Sequence, residues 1–272
     1  MTAIGHRSSA ATPLAPITAT LRATFGTDEL PGLHAGLVVR DEAGWLPATA
    51  LIDGGALAGL LASAAGRWQA KRHAAAALAW KAYSYWVALP VALGWASARR
   101  VPLLRASDVL VRLDEAGPLV DIGLRRGTTV AVLPSDPLAT AGLSEVLVAP
   151  DEATLLDLIR VSLLDQHFTP LLDTIHRQVR LSPRTLLGSL SSGIAYAVLQ
   201  AADALPGSAT ETIGELLAAL GIADLIELVP DAAGALSVQR KTCCLAFTLP
   251  EPKICTGCCI RPTATTPTTV QP

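Results

Sequence analysis

Five thiols dominate the chemistry this chain could carry. Cys243, Cys244, Cys255, Cys258 and Cys259 fall within seventeen residues, and no cysteine precedes them. The segment reads Arg240-Lys241-Thr242-Cys243-Cys244, then ten residues, then Cys255-Thr256-Gly257-Cys258-Cys259. Thiolate is a soft, anionic ligand, and four thiolates suit an iron–sulfur cluster or zinc. Cys255 and Cys258 form a C-x2-C knuckle of the kind that aims two sulfurs at one ion. The vicinal pair Cys243-Cys244 does not, because neighbouring side chains diverge unless the backbone turns sharply. A two-iron rhomb is a larger target than a single zinc ion. The spacing therefore leaves iron–sulfur, zinc and redox disulfides open, in that order.

No histidine lies in this segment; the five are His6, His34, His73, His167 and His176. This argues against a cluster with two imidazole ligands. Arg240, Lys241, Lys253 and Arg261 flank the thiols, as tuning or docking charges or as solvated loop charges. Leu245, Phe247, Leu249 and Ile254 are expected to shield one side. Elsewhere the chain has no GxGxxG after a strand, no phosphate loop, no nucleophile elbow and no HExxH motif. No in-chain nicotinamide or flavin site is expected.

The elements that must position the thiols follow from pattern. The 272 residues are 51% hydrophobic, with a formal net charge of -2, which gives no argument for nucleic acid. Gly55 to Ala98 reads as alanine-rich helix, with breaks expected near Gly66 and at Pro90. Its uncharged part, Ala82 to Ala98, is short for a membrane span and contains Pro90, so a buried helix pair is expected. Asp108–Leu113 and Leu119–Leu124 flank a turn and predict a hairpin. Thr128–Leu133 and Glu145–Val148 are further strands. Asp151 should cap a helix reaching Gln166, Ser182-Pro183 one reaching about Ala204, and a third should begin near Thr210. A second hairpin, Leu225–Val229 with Ala235–Arg240, would place the thiols at a strand exit.

The fold class is thus α+β, largely helical, with a small antiparallel sheet and a C-terminal cysteine-rich segment. The boundaries expected are a body over 1–235, a thiol segment over 236–262 and a polar, proline-rich tail over 263–272. Met1 to Leu21 lacks an apolar run of signal length, so a reducing, cytoplasmic location is expected. Trp68, Trp80, Tyr83, Tyr85, Trp86 and Trp95 read mostly as core, with a ligand-binding wall as the alternative. Arg99-Arg100, Arg125-Arg126 and Arg184 could receive an anion but read first as surface charge.

CC-x10-C-x2-C after a basic pair resembles the FhuF-like ferric-siderophore reductases. The motif covers under a tenth of the chain. Leu187-Gly188-Ser189-Leu190-Ser191-Ser192 is similar, more loosely, to that family's middle region. The resemblance implies a [2Fe-2S] cluster on Cys243, Cys244, Cys255 and Cys258, with no ligand role for Cys259 and no catalytic residue beyond the cluster. It implies one-electron reduction of the iron in an imported ferric siderophore, preferably of hydroxamate type, with a ferredoxin-like electron donor. No integral membrane segment is expected. The competing reading is a non-enzymatic, zinc-stapled siderophore-binding or scaffold protein.

Overall fold

The structure, a computed structural model, describes residues 13–27, 29–114, 117–230, 234–255 and 257–260. One helix organises it. Helix α4 (Arg72–Ala98) follows α1 (Ala15–Phe25), the single turn α2 (Thr49–Ile52) and α3 (Leu57–Trp68). At about 1.5 Å per residue, its 27 residues extend roughly 40 Å. Beyond Arg72, His73 and Lys81 it is apolar on most of its circumference, as a helix buried along most of its length must be. Helices α1, α3, α6 (Thr169–Val179) and α7 (Pro183–Gln200) pack against it.

The break expected near Gly66 falls three residues later, at Gln69, whose left-handed backbone (φ 46°) lets the Ala70 amide bond to the Ala65 carbonyl. The break expected at Pro90 is corrected. Pro90 does not interrupt α4. A proline costs one backbone hydrogen bond, but Pro90 is buried among close neighbours, and that packing holds the helix on course. Among the described residues, no helix is long and apolar enough to cross a membrane.

The sheet expectation also needs correction: three small sheets form, and two are mixed. In the first, β1 (Leu33–Val38) lies parallel to β5 (Asp121–Leu124), which pairs antiparallel with β4 (Val109–Arg112), and β4 with β2 (Leu46–Pro47). In the second, β3 (Val101–Pro102) is antiparallel to β6 (Val130–Val132), which is parallel to β7 (Val146–Val148). Parallel pairing needs a long crossover, and between β1 and β5 the helices α2 to α4 supply it. The third sheet is the expected hairpin, β8 (Ile226–Pro230) with β9 (Leu236–Arg240).

Asp151 does cap α5 (Glu152–Ile159), accepting the Thr154 amide at 2.7 Å. The helix then widens into a π-helical stretch over Arg160–Phe168 and runs on into α6. This stretch turns His167 into the core, where its ring nitrogens meet the Tyr83 hydroxyl (2.5 Å) and the Leu104 carbonyl (2.8 Å). Helix α7 starts at Pro183 as expected but ends at Gln200, and α8 (Ala209–Ala219) is capped by Ser208.

Candidate functional site

The thiols are positioned by β9 and α7. Along a strand, side chains alternate between faces, and β9 extends that alternation into the thiol segment: Arg240 and Thr242 are buried, Lys241 exposed. The Lys241 amide bonds to the Leu225 carbonyl at 3.0 Å, fastening the strand exit. Thr242 fits because residue 188 is glycine; a Cβ there would stand 1.9 Å from the Thr242 Oγ1. Arg240, 3% exposed, donates from Nη2 to the Ser189 Oγ at 2.8 Å. Its Nε and Nη1 are buried with no hydrogen-bond partner among the described residues. The loosely matching Leu187–Ser192 segment and the cysteine segment are therefore in contact.

A sharp turn follows the vicinal pair. Leu245 adopts a left-handed backbone (φ 62°), and its amide donates to the Cys243 Sγ at 3.2 Å. Cys244 is 4% exposed, whereas Cys243 is half-buried. The knuckle closes through the Cys258 amide on the Cys255 carbonyl (3.0 Å) and docks on β9. There the Arg240 amide bonds to the Gly257 carbonyl (2.8 Å), and the Gln239 side chain donates to the Cys258 carbonyl (3.1 Å). Gly257 has φ +74°, and a Cβ would lie 1.9 Å from the Val238 carbonyl oxygen, so only glycine permits this approach.

Docking brings the two halves of the motif together. Cys243 lies near enough to Cys244, Cys258 and Cys259 for the four thiols to interact electrostatically. Burial raises the Cys243 and Cys259 thiols above the usual range. Cys259 is thus a close neighbour of Cys243, a contact that its position in the chain does not reveal. Cys255 is exposed and interacts electrostatically with Tyr196. Among the described residues, no three thiols, imidazoles or carboxylates form a closed metal-ready group.

Beside the thiols lies a cavity of about 490 Å³ between α4, α7 and the cysteine loop. Cys244 and Cys255 are in its wall, with the aromatic residues Trp68, Tyr85 and Tyr196 and two lysines, Lys81 and Lys253. Helix α7 contributes Ser189, Ser192, Gly193, Tyr196 and Gln200, one face at helical spacing. Sequence reasoning did not single out Tyr196. The stripe of small and polar residues on an otherwise apolar helix was the available signal.

The other candidates divide. Trp80, Tyr83 and Trp95 are core, while Trp68 and Tyr85 form part of the wall. Trp86 packs against Gly32. Arg99 pairs with Glu152 and Glu215, Arg100 with Asp136, Arg125 with Glu42 and Arg184 with Asp224, so none of these four is a bare anion receptor. Lys241 and Lys253 are exposed beside the thiols, and Arg261 lies outside the described residues. Leu249 is buried and Leu245 half-buried, but Phe247 and Ile254 are 40% and 50% exposed; they do not shield the loop.

No family model matches the chain, and no curated protein does. Among solved structures, the fold is similar to aerobactin synthetase IucA of Klebsiella pneumoniae, at 17% identity and a TM-score of 0.44, over 66% of this chain. The ATP-bound form of that synthetase gives 15% identity and a TM-score of 0.43 over 70%. In both comparisons the match spans 33% of the synthetase chain.

Proposed function

We propose that the protein is a ferric-siderophore reductase that holds a [2Fe-2S] cluster on Cys243, Cys244, Cys255 and Cys258. The observation that carries this reading is the buried Arg240 beneath the thiols, with two guanidinium nitrogens lacking partners among the described residues. A buried, under-satisfied cation calls for an anion. A four-thiolate two-iron cluster, dianionic when oxidised and trianionic when reduced, fits that requirement; tetrahedral zinc with four thiolates is also anionic but lacks the redox step.

When bound, the cluster would supply one electron to the ferric ion of a chelate. The chain's own residues do the rest. Arg240 favours the more negative state and so raises the reduction potential. Buried Cys244 and Leu249 keep water from the inner side of the loop. The adjoining cavity offers the chelate a place next to exposed Cys255. Ferric iron is held tightly by hard oxygen ligands and ferrous iron far less so, so a single electron loosens the metal without an acid, base or nucleophile. A ferredoxin-like carrier in a reducing compartment is the donor this chemistry requires.

The test is the visible and EPR spectrum of anaerobically purified protein before and after dithionite. A red-brown protein that bleaches and gives a rhombic S = 1/2 signal supports the reading, as does loss or alteration of that spectrum in each of the four Cys→Ser variants. A colourless protein with stoichiometric zinc would replace it with the scaffold reading.

A further inference from the structure

The cavity beside the thiols has a composition that bears on its ligand. Lys81 and Lys253 are two of the four lysines in the chain, and both line it. Neither has an ion-pair or hydrogen-bond partner through its ammonium group among the described residues, unlike Arg99, Arg100, Arg112, Arg125, Arg160 and Arg184, all paired with carboxylates. Among the described residues no carboxylate lines the cavity; Glu251 lies in the adjoining depression, with Arg67. The rest of the wall is mostly apolar or aromatic, with Gln200, Ser189 and Ser192 as further polar residues; the Ser189 hydroxyl accepts from Arg240 and the Ser192 hydroxyl donates to the Ser189 carbonyl.

Resting on the reductase reading, we propose that this cavity is the chelate site and that it selects an anionic chelate with aromatic arms, of catecholate type, over a neutral trihydroxamate. Three catecholate dianions around Fe(III) leave a net negative charge, whereas three hydroxamate monoanions leave none. Unpaired ammonium groups attract the first and gain nothing in charge from the second. The rings of Trp68, Tyr85 and Tyr196 can stack on catechol rings, an interaction that aliphatic hydroxamate arms cannot return. A cavity of this size is in the range of small-molecule sites, about 300 to 1,000 Å³. This proposal departs from the hydroxamate class that the resemblance implies.

The test uses gallium(III), which has the charge and coordination of Fe(III) but accepts no electron. Calorimetric titration of the full chain with the gallium complex of a hexadentate tris-catecholate and with that of a cyclic trihydroxamate should show the anionic complex binding at least about tenfold tighter, with the preference shrinking at high salt. Lys81→Glu combined with Lys253→Glu should abolish the preference, and Trp68→Ala should weaken both complexes. Lys71→Glu, a charge reversal away from the cavity, should change nothing. Equal affinity for both complexes, or a preference that survives the double charge reversal, overturns the proposal. Because no electron moves, the titration reads binding alone, and a zinc tetrathiolate would put the same charge beside the cavity as the oxidised cluster: a zinc-loaded protein that still prefers the anionic complex sinks the reductase and keeps the site. A cluster-loaded protein that binds neither complex sinks the site alone.

Discussion

Replacing Arg240 by methionine should have opposite effects on the empty and the loaded protein. In the cluster-free state, prepared by changing the four ligand cysteines to serine, Arg240 keeps Nε and Nη1 buried without partners among the described residues. Each such group costs about 1–3 kcal/mol. Against this stands one charged hydrogen bond to Ser189, worth about 1.5–3 kcal/mol. Methionine follows the arginine stem without its polar end. The balance is a gain of about 2 kcal/mol, or a rise in melting temperature of about 4–8 °C for a chain of this size. In the loaded protein the same change removes the buried counter-charge, so the cluster should be lost more readily and its midpoint potential should fall. Arg240→Lys, which keeps the charge, should fall less. The assays are differential scanning calorimetry of the serine variant and a dye-mediated potential titration of the cysteine protein. A cluster-free Arg240→Met variant that melts below its parent would refute the reasoning, because Arg240 would then be satisfied without an anion.

Three other outcomes follow from the packing. His167 is buried, and desolvation lowers its pKa from 6.5 to about 4, so the ring is neutral in the folded state and charges readily in the unfolded one. That contribution, about 3 kcal/mol, is complete above pH 6.5 and is lost as the pH falls toward 4; chemical denaturation of His167→Leu with Tyr83→Phe should show a shallower decline over that window than the parent. Gly188→Ala should destabilise the protein by a few kcal/mol through the Thr242 contact, and Thr242→Ala should recover part of the loss in a double-mutant cycle followed by urea unfolding. Cys259→Ser should preserve the visible spectrum while slowing disulfide formation in air-exposed, cluster-free protein, read by mass spectrometry after alkylation; unchanged disulfide yield would rule out Cys259 as the partner of Cys243.

Much of the local structure was legible because its signals are local. The β-rich runs on either side of Gly117-Pro118 mark β4 and β5, and Asp151 announces α5 through its own side chain. What escaped depends on contacts between distant segments. Pro90 is tolerated because neighbouring helices enclose it, and the parallel partner of β1 is set by where three helices deliver the chain. Within the site, the motif picked out four of the five thiols and their flanking charges. It could not show that Arg240 turns inward onto Ser189 while Lys241 faces water, or that Cys259 meets Cys243. Tyr196 was hidden because a lone tyrosine on a buried helix reads as core until the cavity beside it is seen.

The main core is built entirely without sulfur nucleophiles, its cysteines all following α8 in chain order. A ribosome makes the chain from the amino terminus, so α1 through α8 emerge before the first thiol. The body can therefore settle its packing with no thiol available for a mispaired bridge, and the cysteine loop arrives at a surface already shaped to receive it, with Ser189 and Gly188 in place. Loading of the proposed metal group would then be a late event on a formed scaffold, confined to the loop that carries the thiols.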